Sequence, residues 1–230
     1  MRILDIVKAD PAGNITVFVL NGQDLGQRER ILAVKALLAD KALRAEQAGF
    51  VSAPPRDSQP GALWRLTMAG GEFCGNAARS FGLFVARKTG LRGRQTVNVL
   101  VSGAKEPVAV DVDCDTGEAA AAIPAPHSGG ALCFEGKTLP FYHFDGISHI
   151  IAEDIPPKES IFFKIKALFE SQNARAASAL GVMFYDTARK FMQPAVYVYA
   201  ADTFFFETSC GSGSAALACL GFDKLGVSST

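Results

Sequence analysis

The chain has 230 residues, 49% of them apolar, with 23 basic and 23 acidic side chains and no net charge at pH 7. That length allows one large or two small domains with a substantial core, and the balanced charge excludes a polybasic surface for nucleic acid or membrane. No apolar run reaches the about 18 residues of a spanning helix.

Charges at Asp5, Lys8 and Asp10 interrupt the N-terminus, so residues 3–7 read as a strand and not as a signal peptide. A second strand at 15–20 follows the turn Pro11-Ala12-Gly13-Asn14. Residues 24–39 carry Ile31, Val34, Leu37 and Leu38 on one face of a helix. Residues 48–52 read as a strand and 53–61 as a surface loop. A strand at 62–68 leads into Gly71-Glu72-Phe73-Cys74-Gly75-Asn76-Ala77-Ala78. This turn opens a helix over 76–88, with Ala77, Phe81, Phe84 and Val85 inward and Gly90 as its stop. Strands follow at 97–101 and 108–112. The turn Asp113-Cys114-Asp115-Thr116-Gly117 is the expected boundary between domains 1–115 and 116–230.

The second half repeats the alternation, with strands at 119–123, 141–144, 149–152, 183–186 and 195–200 and a helix at 161–171. Phe204-Phe205-Phe206 reads as strand core and not as a stacking platform. Glu207-Thr208-Ser209-Cys210-Gly211-Ser212-Gly213-Ser214 then opens a helix over 212–220. This stretch matches the Cys74 turn: a glutamate shortly before a cysteine, then glycine, then small residues that start a helix. Two such turns suggest an internal duplication with a thiol at the same place in each half.

A cysteine just ahead of a helix lies near the positive end of the backbone dipole. That placement favours thiolate and lowers a pKa that is otherwise about 8.5. The amides of Gly75, Asn76, Gly211 and Ser212 can hold a carboxylate. Two thiols on opposite sides of one α-carbon suit racemisation by two bases, one removing a proton while the other delivers one. Burial at tight turns would explain either cysteine alone, but not the repeat of the whole motif. The odd number of cysteines, five, shows no close pairing pattern and points to reduced thiols in the cytoplasm. Cys114, Cys133 and Cys219 read as inert thiols, and His127 and His143 as structural. No C-x-x-C and no histidine pair at i, i+4 suggests a metal site.

At these turns the chain resembles the cofactor-independent amino-acid racemases and epimerases of the diaminopimelate epimerase and proline racemase group. It is most similar to bacterial histidine racemases of opine-metallophore pathways. The resemblance also runs through Pro11-Ala12-Gly13-Asn14-Ile15-Thr16, Glu46-Gln47-Ala48-Gly49-Phe50, Val101-Ser102-Gly103 and Phe191-Met192-Gln193-Pro194. It implies an α/β (α+β) fold of two pseudo-symmetric lobes, each a sheet wrapped around a central helix, with the site in the cleft between them. It implies Cys74 and Cys210 as catalytic residues, no pyridoxal phosphate or other cofactor, no metal, a small amino-acid substrate and a homodimer as the assembly.

The same resemblance makes Asn14, Glu46 and Gln47 substrate contacts; ordinary turn chemistry competes for Asn14, and a solvated helix end for Glu46 and Gln47. His149 falls where the epimerases carry a histidine beside the thiols, against the alternative of a satisfied structural histidine. The chain departs from diaminopimelate recognition at four residues: Ile147 and Met183 stand where the epimerases carry asparagines, and a Glu-Arg pair that clamps the distal end of that substrate falls near Ala200-Ala201. A second charged amino-acid end would be left unpaired there, which is costly. Histidine fits better, with Glu46 or Glu207 accepting its imidazole N–H. The family also extends further beyond the second cysteine than Thr230, so a C-terminal segment is expected to be missing.

Four other readings compete. One is a racemase of the same fold acting on another amino acid. Gly211-Ser212-Gly213-Ser214-Ala215-Ala216 matches the dinucleotide pattern G-x-G-x-x-A, but no second strand and acidic residue follow. A cysteine hydrolase using Cys210 and His149 leaves the Cys74 motif unexplained, and a non-catalytic small-molecule binder would not need both thiols.

Overall fold

The computed structural model describes residues 3–55, 61–173 and 177–225; part of the expected loop at 53–61 lies outside them. The chain forms two compact units, Met1–Ala122 and Ile123–Thr230. Each is built on one mixed sheet, of seven strands in the first and six in the second. The described residues thus give a mixed α+β fold with one sheet per lobe, as the sequence leads one to expect.

In the first unit β1 (Ile6–Ala9) pairs antiparallel with β2 (Thr16–Val19). Helix α1 (Gln27–Ala39) carries the chain to β3 (Gln47–Ser52), parallel to β2. Strand β4 (Arg65–Met68) returns antiparallel to β3. Helix α2 (Gly75–Lys88) then crosses to β5 (Arg94–Val101), parallel to β4. Strands β6 (Val108–Asp113) and β7 (Ala119–Ala121) complete the sheet as a meander.

Alternation along β2 explains why helices lie on both faces. Val17 and Val19 pack with Val34 and Leu37 of α1. Phe18 points the other way, edge-on to Phe81 of α2 with ring centroids 5.8 Å apart. Of the expected inward face of α2, Ala77, Phe81 and Val85 are buried and Phe84 half-buried. Gly90 ends the helix with φ +79°, a conformation that glycine adopts without strain.

The second unit runs β8 (Ser128–Phe134), β9 (Lys137–Phe144) and β10 (Ile147–Glu153) as an antiparallel meander. Helix α3 (Glu159–Gln172) crosses to β11 (Ala179–Asp186), parallel to β10. Strands β12 (Phe191–Val198) and β13 (Thr203–Phe206) finish the sheet, and α4 (Gly211–Leu225) follows. Central strands β10 and β11 are buried along almost their whole length, so neither alternates apolar with exposed polar residues, and the polar Ser148 and His149 of β10 are buried with the rest. Ile150, Ala152, Leu180 and Val182 pack under α3 with Phe162, Ile165 and Phe169. Ile147, Ile151, Ala179 and Met183 pack on the α4 side with Cys210, Ala216 and Leu220.

Three elements differ from the sequence reading. β7 pairs with β6 and belongs to the first sheet, although its alanines read with the second half. β8 was not among the expected strands; backbone pairing with β9 at the sheet edge makes it one. Phe204, Phe205 and Phe206 do form a strand, but β13 is a sheet edge and none of the three is buried. Only Phe204 reaches the core, 4.7 Å from the Phe162 ring of α3.

Candidate functional site: two matching thiol turns

Cys74 is the residue on which α2 begins, with φ −128° and ψ 113°, and its Sγ accepts the Ala77 amide at 3.4 Å. Its carbonyl accepts the Ala78 amide at 2.9 Å. Cys210 stands in the same relation to α4: its Sγ accepts the Gly213 amide at 3.4 Å, and its carbonyl accepts the Ser214 amide at 3.0 Å. Gly75 and Gly211 are the first residues of the two helices. Both sulfurs therefore satisfy an amide that has no partner within the helix.

The glutamates before the cysteines are buried in both units, Glu72 at 6% and Glu207 at 4% exposure. Each is held through its backbone carbonyl by a polar side chain from elsewhere in its own unit. Ser102 Oγ donates to Glu72 O at 2.9 Å, and Gln193 Nε2 donates to Glu207 O at 2.9 Å. Sequence reading noted both stretches without giving these residues a role. A short polar side chain aimed at a carbonyl distant in sequence leaves no pattern to find. Glu72 also accepts the Gly70 amide at 2.8 Å. Burial nevertheless raises its pKa, overriding the lowering by those backbone bonds.

The first unit gathers the other predicted residues around Cys74. Asn14 is fully buried, which sets it apart from a solvated turn residue. Its Nδ2 donates to Glu46 Oε2 at 2.7 Å, and its Oδ1 accepts from Asn76 Nδ2 at 3.1 Å. The Cys74 thiol donates to Gln47 Oε1 at 2.8 Å. The parallel β2–β3 pairing makes this possible, because Thr16 and Gln47 are register partners. Two further cavities of this unit, about 730 and 570 Å³, contain none of the predicted site residues in their walls.

In the second unit His149 and Ser212 meet beside Cys210. His149 is fully buried on β10, and its Nε2 lies 2.8 Å from Ser212 Oγ. Ser212 Oγ is in turn 3.7 Å from Cys210 Sγ. His127 and His143 lie elsewhere, stacked on each other with centroids 6.1 Å apart. Met183 and glycines at 181 and 213 complete the packing; a Cβ at 213 would lie 2.1 Å from Met183 Sδ and 3.2 Å from Cys210 Sγ.

One expectation is overturned at Cys210. Its position ahead of a helix was expected to lower the thiol pKa, but burial pushes it up to about 12, reinforced by the nearby Glu207 carboxylate. The Gly213 amide and the Ser212 hydroxyl act in the opposite direction and do not prevail. Complete removal of a thiolate from water costs more than one helix-start amide returns. None of the five cysteines is in a disulfide. No described helix is long and apolar enough to cross a membrane.

A cysteine turn of one construction, with a buried glutamate shortly before the thiol, stands on the mixed sheet of each unit. Residues 3–224 match the family described as "Histidine racemase CntK N-terminal domain", and the chain belongs to that family of amino-acid racemases. A histidine racemase of Fusobacterium nucleatum (strain ATCC 23726) is 32% identical over 94% of this chain and 81% of its own length. One of Staphylococcus aureus (strain Mu50) is 27% identical over 94% and 79%. Among solved structures, a phenazine biosynthesis protein PhzF family member of Enterococcus faecalis covers 97% of this chain and 82% of its own, with 12% identity and a TM-score of 0.47. A methylitaconate-delta-isomerase covers 93% and 78%, with 10% identity and a TM-score of 0.44.

Proposed function

We propose that this enzyme interconverts L- and D-histidine, with Cys74 and Cys210 acting on opposite faces of one α-carbon. The observation that carries this reading is the shared construction of the two turns, down to the 3.4 Å amide–sulfur bond three residues on, in a chain similar to histidine racemases over 94% of its length. In one direction the Cys74 thiolate removes the α-proton, and the freed electron pair is delocalised toward the substrate carboxylate. Cys210 then gives its thiol proton to the other face, leaving Cys74 protonated and Cys210 as thiolate. The high pKa of Cys210 suits the proton-donor role in the resting enzyme.

Asn14, Glu46, Gln47 and Asn76 supply polar groups to the substrate around Cys74, and His149 and Glu207 belong to the surroundings of Cys210. The amides that open α2 and α4, at Gly75, Gly211 and Ser212, hold the carboxylate. Glu46 or Glu207 takes the imidazole N–H. Ile147 and Met183 are buried among apolar neighbours of Cys210, so neither offers a polar group to a charged distal end such as that of diaminopimelate. No cofactor takes part. Free thiols fit a reducing cytoplasm, and a homodimer is the proposed assembly.

Racemisation of L-histidine in deuterium oxide tests the mechanism. D-histidine should form carrying deuterium at the α-carbon, while recovered L-histidine stays largely unlabelled at early times. Proton NMR of the separated isomers reads the result, and equal early labelling of both pools would exclude two opposed bases. Cys74→Ala and Cys210→Ala should each abolish the reaction.

A further inference from the structure

Resting on the reading of Cys210 as a catalytic thiol, we infer that His149 is a positioning residue: it is held as the Nε2–H tautomer and turns the Ser212 hydroxyl into a hydrogen-bond donor to the Cys210 sulfur. The chain of atoms is short. His149 Nε2 lies 2.8 Å from Ser212 Oγ, and Ser212 Oγ lies 3.7 Å from Cys210 Sγ. Each link is ambiguous by itself, because an imidazole nitrogen and a hydroxyl can each give or accept.

The other ring nitrogen resolves the ambiguity. His149 Nδ1 is buried without a hydrogen-bond partner among the described residues. Glycine at 181 on neighbouring β11 makes the space: a Cβ there would lie 2.3 Å from Nδ1. A buried N–H without an acceptor is rarer and more costly than a bare lone pair. The proton of a neutral ring therefore belongs on Nε2, where Ser212 accepts it. The ring is neutral, since burial pushes its pKa down to about 3. That bond takes one of the two hydroxyl lone pairs and leaves Ser212 its own hydrogen to give, and Cys210 Sγ at 3.7 Å is placed to accept it.

The groups facing Cys210 make that hydrogen count. Burial raises the thiol pKa, and Glu207 on the approach to α4 raises it further; the Gly213 amide and Ser212 hydroxyl lower it. Cys210 must become a thiolate in one half of every racemisation cycle. Ser212 is a side-chain donor within reach of it at that moment, and His149 fixes that donor's direction without contacting substrate.

The test separates this inference from the two-thiol reading. Nitrogen-15 NMR of histidine-labelled enzyme, which has only three histidines, should show His149 with Nδ1 bare and Nε2 protonated; a protonated Nδ1 would overturn the inference. Iodoacetamide labelling at one fixed pH, resolved by peptide mass, should show Cys210 reacting about 10- to 100-fold more slowly in Ser212→Ala and in His149→Leu, the size expected for loss of a hydrogen bond to a charged group. His149→Gln, which retains an N–H donor, should lie nearer wild type. Combining Ser212→Ala with His149→Leu should add no further slowing, and Cys74 should keep its rate throughout. An unchanged Cys210 rate, further slowing in the double variant, or an equal slowing at Cys74 would each contradict the donor chain. Failure of Cys210→Ala to abolish racemisation would instead remove the catalytic assignment on which it rests.

Discussion

At the scale of single residues, Cys210 shows competing effects meeting at one atom. Helix-start amides favour thiolate, but burial and the Glu207 charge favour thiol, and burial is the larger. Packing around the sulfur is equally close. A Cβ at position 213 would overlap Met183 Sδ at 2.1 Å and press on Cys210 Sγ at 3.2 Å. Gly213→Ala should therefore move the thiol as well as strain the core. We expect racemisation to fall by roughly 100-fold, the scale of a misplacement of about 1 Å. Gly213→Ala combined with Met183→Ala should recover part of the loss, since the truncated side chain vacates the overlapping volume. Steady-state kinetics of wild type, Gly213→Ala, Met183→Ala and the double variant provide the check, and a wild-type rate in Gly213→Ala would contradict the packing argument.

At the scale of elements, the second sheet separates stability from chemistry by its two faces. Cys210, Met183 and Ile151 share the α4 face, while Phe162 and Ile165 of α3 fill the other. Phe162 is fully buried and packs on Phe204 at 4.7 Å. Phe162→Ala should cost about 3–5 kcal/mol of stability, measured by denaturant unfolding. Its turnover at low temperature, per folded molecule, should stay close to wild type. A collapse of turnover without loss of stability would mean that α3 takes part in the site.

At the scale of the whole molecule, His149 gives stability a pH dependence. Its pKa falls from 6.5 to about 3 on folding, so between these values the unfolded chain binds a proton that the native protein does not. Stability is full above pH 6.5 and declines as the pH drops, by up to about 1.4 kcal/mol per unit until the native pKa is reached. Glu72 acts in the opposite sense, because its raised pKa makes the native state bind protons more readily than the unfolded chain. The difference between wild type and His149→Gln isolates the histidine. The gap in unfolding free energy should change by several kcal/mol between pH 7 and pH 4 in favour of the variant, and a gap independent of pH would show that the buried ring does not stay neutral.

The amino-acid sequence by itself determined the two cysteine turns, the helices they open and most strands, because helix starts, glycine stops and apolar periodicity are local properties. It also carried the racemase family and the cluster of Asn14, Glu46, Gln47 and Asn76. Only the tertiary structure decided the rest. β8 exists because β9 pairs with it across the turn Glu135-Gly136, and β7 completes the first sheet because β6 holds it; the choice of sheet for β7 lies in that pairing and not in its alanines. Ser102 and Gln193 support the two glutamates from positions far along the chain. The Cys210 pKa rose where a local argument lowered it, because desolvation depends on everything packed around an atom, and a helix dipole acts only from the turn beside it.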